Sequence, residues 1–261
     1  MKAKIFIWIF IVIAGVGLIL GIVGASLYSF NFSAIGRDFR NEHHYTAQYI
    51  DESHQDFEMP NTINLNLSIQ NLTVIQGTEF RFDYHKNIHY STITYNFYEN
   101  TFDFKMTTRF AFRLFSISPG RFSRATLTIP YSFTGDLNLK VSTGNINVSG
   151  LDTNNINIVS RTGNTTVTNT TATSIKITAN TGNVTLNNVI SHNVSITNRT
   201  GNNTVNLVGE MLNYRIELRH RTGNSRINGD RVPSGIQRHG SAGDGSIYIT
   251  NRTGNNNLNF I

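Results

Sequence analysis

The sequence predicts an all-β fold of repeating units of about nineteen residues, preceded by one N-terminal transmembrane helix, and three observations carry this expectation. Thr-Gly-Asn occurs six times, centred on Gly144, Gly163, Gly182, Gly201, Gly223 and Gly254, at intervals of 19, 19, 19, 22 and 31 residues. A fixed period of this size marks a repeat architecture. Aliphatic residues hold fixed places around each glycine, and a long apolar stretch opens the chain.

The apolar stretch is Ile5–Ala25, with no charged residue between Lys4 and Arg37. At ~1.5 Å per residue it reaches about 31 Å, enough to cross a bilayer core. Lys2 and Lys4 favour a cytoplasmic N-terminus. The expected order is a cytoplasmic tail (1–4), a membrane anchor (5–30), and an extracellular remainder, in a single-pass protein of the cell membrane. The alternative is a cleaved signal peptide, since Val23-Gly24-Ala25 has small-residue character, but the apolar run exceeds the usual ~7–15 residues. Gly17 and Gly21 form a G-x-x-x-G pair, compatible with close packing of two anchors.

Residues 31–57 are polar and aperiodic and read as a juxtamembrane spacer. From Glu58 alternation begins: Ile63, Leu65, Leu67 and Ile69; Phe80, Phe82 and Tyr84; Ile93, Tyr95 and Phe97; Phe102, Phe104 and Met106. Period-two spacing of aromatic and branched residues marks strands with one buried face. Gly77, Asn87, Asn100 and Pro119-Gly120 separate the runs as turns. This aromatic-rich segment, 58–134, is expected to cap or begin the repeats of 135–261.

Within the repeats, the places seven and five before each glycine and four after it are apolar in every copy. Leu137, Leu139 and Val148 stand around Gly144; Ile175, Ile177 and Leu186 stand around Gly182. Each unit is therefore a strand, a tight turn and a second strand. Three apolar residues make no core alone, so units must bury them against one another. In a β-solenoid, coils about 4.8 Å apart would stack like residues in columns. A meander or barrel with Thr-Gly-Asn closing hairpins satisfies the same periodicity.

Scaffolding explains the repeated phrase. Glycine adopts positive φ without steric cost. An Asn follows it every time, at Asn145, Asn164, Asn183, Asn202, Asn224 and Asn255. Amides carry donor and acceptor and can bond along a column. On this reading Gly182→Ala meets a backbone penalty that Asn188→Ala does not.

"ATLTIPYSFTGDLNLKVSTGNINVSGL" (125–151), followed by recurring I-x-I…TGN…V, resembles the bacterial DUF4097 family of proposed adhesins. The likeness runs from about residue 58 to the end. It implies a right-handed parallel β-helix in the cell envelope, with no catalytic residues to carry over. Asn stands here where many relatives have an acidic turn.

Composition excludes several chemistries. The chain has no Cys, which removes disulfides, thiolate metal sites and thiol nucleophiles. Its formal charge of +6 is concentrated in residues 135–261, where 11 Lys and Arg face six Asp and Glu. Such a surface attracts polyanions; an outside location argues against nucleic acid and for envelope polymers. Arg161, Arg199, Arg221 and Arg252 each lie two residues before a repeat glycine. Stacking would align them in an anion-binding stripe, although charge rows are more often solubilising faces.

His85 and His89 share metal-ligand spacing only in a helix, and the surrounding alternation is that of a strand. His43 and His44 read as solvated. Asp136, Asp152, Glu210, Glu217, Asp230 and Asp244 share no phase, so stacking gathers no catalytic carboxylates. The 31-residue interval holds 12 residues beyond the period, within 228–246, expected to emerge as a loop with Arg231, Arg238 and His239 that either binds or is an inert insertion. No catalytic set, metal site or cofactor is expected.

The leading expectation is a non-enzymatic surface module that adheres to, senses or organises envelope components. The alternatives are a β-helix enzyme acting on extracellular or wall polysaccharide, and a regulatory ectodomain of envelope-stress signalling with a membrane protein partner. With the chain ending at Ile261, just after the last repeat, an uncapped C-terminal edge is expected to self-associate.

Overall fold

The computed structural model describes residues 45–53, 57, 59–87, 91–108, 123–238 and 245–261. The tail, the anchor over 5–30 and most of the spacer, with His43 and His44, lie outside these residues, as do His89, Pro119, Gly120, His239 and Asp244. Among the described residues no helix is long and apolar enough to cross a membrane.

The first part holds β1 (Tyr45–Asp51), β2 (Thr62–Gly77), β3 (Arg81–Asn87), β4 (Ser91–Tyr98), β5 (Thr101–Thr108) and β6 (Ser123–Pro130). The repeats supply β7 (Asp136–Thr143), β8 (Ile146–Ser149), β9 (Asp152–Thr162), β10 (Thr165–Thr181), β11 (Val184–Thr200) and β12 (Asn203–Leu207). Beyond them come β13 (Tyr214–Thr222), β14 (Ser225–Ile227), β15 (Asp230–Val232), β16 (Ile236–Arg238), β17 (Gly245–Thr253) and β18 (Asn256–Phe260). Because β1 pairs antiparallel with β3, the end of the expected spacer belongs to the folded β structure.

Parallel pairing between units decides between the two architectures. β7 lies beside β9, with Leu137 next to Ile156, and β8 beside β10, with Val148 next to Val167. β10 and β11 keep the same offset of nineteen residues, Ile175 next to Val194 and Val167 next to Leu186. Thr-Gly-Asn therefore turns the chain between two parallel ladders and closes no hairpin. The meander reading is removed.

The rungs do not stack in chain order, which corrects the expectation of a simple sequential coil. β17 lies between β11 and β13, so Ile247 touches the level of Val194 on one side and Ile216 on the other. β18 likewise lies between β12 and β14. The C-terminus is thus inside the stack, where the Ile261 N–H donates to the Leu207 carbonyl at 2.9 Å. The edge is the β13–β14 rung, and β15 and β16 cover it antiparallel. The unequal intervals of 22 and 31 residues are the trace of this threading: the extra residues let the chain pass one level outward and return.

The opposite end uses the same device. β2 lies between the β5–β6 level and the β7–β8 level, Ile63 beside Phe102 and Leu137, Val74 beside Leu127 and Val148. β2 is a repeat without its glycine. Gln70 takes the corner, with Ile63, Leu65 and Val74 seven before, five before and four after it, and Asn71 next. Outside this rung, β4 pairs antiparallel with β5 and β3 with β6. Phe80, Phe82, Phe102 and Phe104 are fully buried there, with ring centroids of Phe82 and Phe104 4.7 Å apart in an edge-on pair. Edge-to-face aromatic packing of this kind adds to the area it buries.

Aliphatic columns form the interior. One runs Phe102, Ile63, Leu137, Ile156, Ile175, Val194, Ile247, Ile216, and each member is at most 1% exposed. The asparagine column bonds differently from an amide-to-amide ladder. The Asn145 N–H donates to Asn71 Oδ1 at 2.9 Å, Asn164 N–H to Asn145 Oδ1 at 2.9 Å, and Asn183 N–H to Asn164 Oδ1 at 2.8 Å. Asn202, Asn255 and Asn224 continue it in stack order. Each amide oxygen satisfies the backbone donor that the corner leaves unpaired.

A second corner lies six residues after the glycine, at Gly150, Asn169 and Asn188, with φ of 72°, 50° and 55°. Asn188 therefore carries left-handed strain too, contrary to the sequence reading, and Asn tolerates it better than Ala. Asn188→Ala is expected to cost about 1 kcal/mol and Asn188→Gly almost nothing in urea unfolding. Equal losses in both would show that the bond from Asn188 Nδ2 to Asn169 Oδ1, at 2.8 Å, matters more than backbone geometry.

Candidate functional site: a basic cleft

Stack order places Arg199, Arg252 and Arg221 in three successive rungs, because Thr200 pairs with Thr253 and Thr253 with Thr222. All three are exposed. Among the described residues none of them is in an ion pair. Arg161 is separated from Arg199 by the rung of Asn180, so the expected stripe of four is a close row of three with one outlier.

The row forms one side of a cleft of about 560 Å³. Thr178, Thr197 and Thr250, four residues before the corner glycines, line the cleft with Arg219. Arg219 is held by Glu217 through its Nε. Ser234 and Gly235 also line the cleft. The segment is fastened by hydrogen bonds from Gly235 N–H to the Leu218 carbonyl (2.8 Å), from His220 N–H to Ser234 Oγ (2.9 Å) and from Ser234 Oγ to the His220 carbonyl (2.8 Å). Among the described residues no Asp, Glu, Phe, Tyr or Trp lines the cleft, and its one ring is the His220 imidazole. Of the four arginines in the lining only Arg219 has a carboxylate partner among the described residues, so the cleft carries an excess of positive charge.

Beneath it, two interior columns turn polar. The residues three before the corner run Met106, Leu67, Val141, Ser160, Ala179, and then Asn198, Asn251, His220. Two after the corner, Ile146, Thr165 and Val184 give way to Asn203, Asn256 and Ser225. Asn198 Nδ2 donates to Asn203 Oδ1 at 2.9 Å, Asn203 Nδ2 to Asn256 Oδ1 at 2.8 Å, and Asn256 Nδ2 to Ser225 Oγ at 3.3 Å. Ser225 Oγ meets His220 Nδ1 at 2.9 Å. A satisfied network fixes one arrangement, whereas a broken one costs full desolvation. Asn198 Oδ1 and Asn251 Oδ1 are buried without a hydrogen-bond partner. Nearby, burial pushes the Tyr214 phenol above its ordinary pKa, and its hydroxyl donates to the Ser191 carbonyl at 3.0 Å.

Sequence reasoning missed Arg219, His220, Ser234 and the Asn network. The signal was present for the network, since Asn198, Asn251 and His220 share one offset from their glycines. It lacked only the true rung order. Gly144, Gly163, Gly182, Gly201, Gly254 and Gly223 form the corner column, and their role is backbone geometry. Among the described residues, no three His, Asp or Glu gather as a metal site.

Parallel rungs with glycine corners, antiparallel covers and a basic cleft define a repetitive β protein of solenoid type. The chain belongs to the Toastrack DUF4097 family, which matches residues 61–259. It shares its fold with a "putative cell adhesion protein" of Clostridium sporogenes at TM-score 0.52 and 12% identity, covering 83% of this chain and 99% of that one. A "putative adhesin" of Bacteroides fragilis aligns at TM-score 0.42 and 13% identity, over 83% and 95% of the two chains. No curated protein matches the sequence.

Proposed function

We propose that this protein is a membrane-anchored, non-enzymatic module of the cell surface: a right-handed parallel β-helix on one N-terminal transmembrane helix, binding anionic envelope polymers. The observation that carries the reading is the row Arg199–Arg252–Arg221, which makes no ion pair among the described residues. Three guanidinium groups at a spacing of about 4.8 Å repel one another unless an anion or solvent lies against them. A pre-formed rigid row spends no backbone entropy on meeting its ligand. The apolar Ile5–Ala25 stretch supports the anchor, and the cell-adhesion name of the Clostridium sporogenes protein of the same fold agrees with surface placement.

The test is retention of the full chain, in neutral detergent, on an immobilised polyanion. Replacing all three arginines with Ser is expected to weaken retention at least tenfold near 50 mM salt and to flatten its salt dependence by about three counterions. Unchanged retention would remove the row from the binding surface. Because the three side chains are exposed, the melting temperature is expected to stay near native.

A further inference from the structure

We infer that the cleft is a phosphodiester site, shaped for a polyol-phosphate chain crossing the rungs and not for a carboxylated glycan. This rests on the anionic-polymer reading and narrows it. Arg199, Arg252 and Arg221 each offer a guanidinium fork that is in no ion pair among the described residues, and such a planar fork matches the oxygens of a phosphate diester. A chain lying along the stack meets Arg199, Arg252 and Arg221 in succession.

Beside the forks stand Thr178, Thr197 and Thr250. Their hydroxyls both donate and accept, so they suit the free hydroxyls between phosphates as well as the phosphates themselves. Among the described residues the lining holds no Phe, Tyr or Trp, and its one ring, the His220 imidazole, is tied to Ser225 Oγ through Nδ1, which argues against polyanions that bind by stacking. A nucleobase finds no stacking platform of the kind that holds single-stranded nucleic acid, and the apolar face of a sugar ring finds none either. An acyclic polyol needs no such platform. The segment at Ser234 and Gly235, tied to the last rung by its three hydrogen bonds, limits the cleft at one side and leaves room for a short stretch of chain.

The experiment compares three probes on the full chain in neutral detergent: poly(glycerol phosphate), polygalacturonate at matched charge, and phosphatidylglycerol vesicles. Poly(glycerol phosphate) is expected to bind roughly tenfold tighter than polygalacturonate, and Arg252→Ser to weaken it severalfold. Arg161→Ser removes the same charge outside the cleft, so it is expected to change binding less than about twofold. Equal losses from Arg161→Ser and Arg252→Ser would overturn the cleft as the site. If polygalacturonate binds as well or better and loses affinity in the triple Ser variant, the phosphodiester assignment fails while the anionic-polymer reading survives. If neither polymer binds and vesicles do, the phosphate belongs to a lipid headgroup and the polymer claim is overturned. Binding of none of the three overturns the anionic reading itself.

Discussion

Gly182→Ala lowers the melting temperature by roughly 10 °C, more than any single substitution on the outer face. Two costs add. The residue sits at φ 142°, which L side chains rarely adopt, and such strain costs about 1–3 kcal/mol. An added Cβ would also lie 2.1 Å from the Gly163 carbonyl oxygen of the neighbouring rung. Neither atom can yield, because the oxygen is backbone and the Cβ is bonded directly to backbone, at corners flanked on both sides by ladders. Pushing these two rungs apart breaks the bond from Gly163 N–H to the Thr181 carbonyl (2.9 Å) and that from Asn183 N–H to Asn164 Oδ1 (2.8 Å). Overpacking of this kind costs a further 1–3 kcal/mol or so. Thermal unfolding of the two proteins side by side measures it, and a shift of only a degree or two would mean that the corners have slack the geometry does not show.

Asn203→Val loses about 3 kcal/mol in urea unfolding, although it restores the residue type found one rung earlier at Val184. Asn203 is fully buried, accepts from Asn198 and donates to Asn256. Valine leaves Asn256 Oδ1 without its donor and Asn198 Nδ2 with one partner fewer, and buried groups so orphaned carry the desolvation cost in full. Adding Asn198→Ala copies the Ala179 and Val184 pair of the preceding rung and removes one orphaned amide, including its unpartnered Oδ1. The double variant is therefore expected to be more stable than Asn203→Val alone. Contacting residues in one network couple in this way. Strict additivity of the two single losses would mean that the amides act separately.

The repeat itself was legible because glycine, Asn and three aliphatic places recur at fixed offsets, and such offsets depend only on neighbours along the chain. The β2 rung was legible in principle, since Ile63, Leu65, Val74 and Asn71 keep the spacing around Gln70. It escaped notice because its corner has no glycine. What hid the cleft was distance along the chain. Arg199 and Arg252 are 53 residues apart, yet they occupy adjacent levels, while Arg199 and Arg221, only 22 apart, do not.

The sequence by itself determined the strands, their buried faces, the corners that need glycine and the aliphatic columns, since local sterics and side-chain periodicity settle these within one unit. It also holds the apolar opening stretch and the positive charge of the repeats. Only the tertiary structure decided which unit lies on which. Parallel rungs with the same column spacing are nearly interchangeable in their backbone bonds, so the choice falls to loop length and to what covers each edge. That choice set the β17–β18 rung between two others, built the polar interior under the last rungs, and brought Arg199, Arg252 and Arg221 into one row.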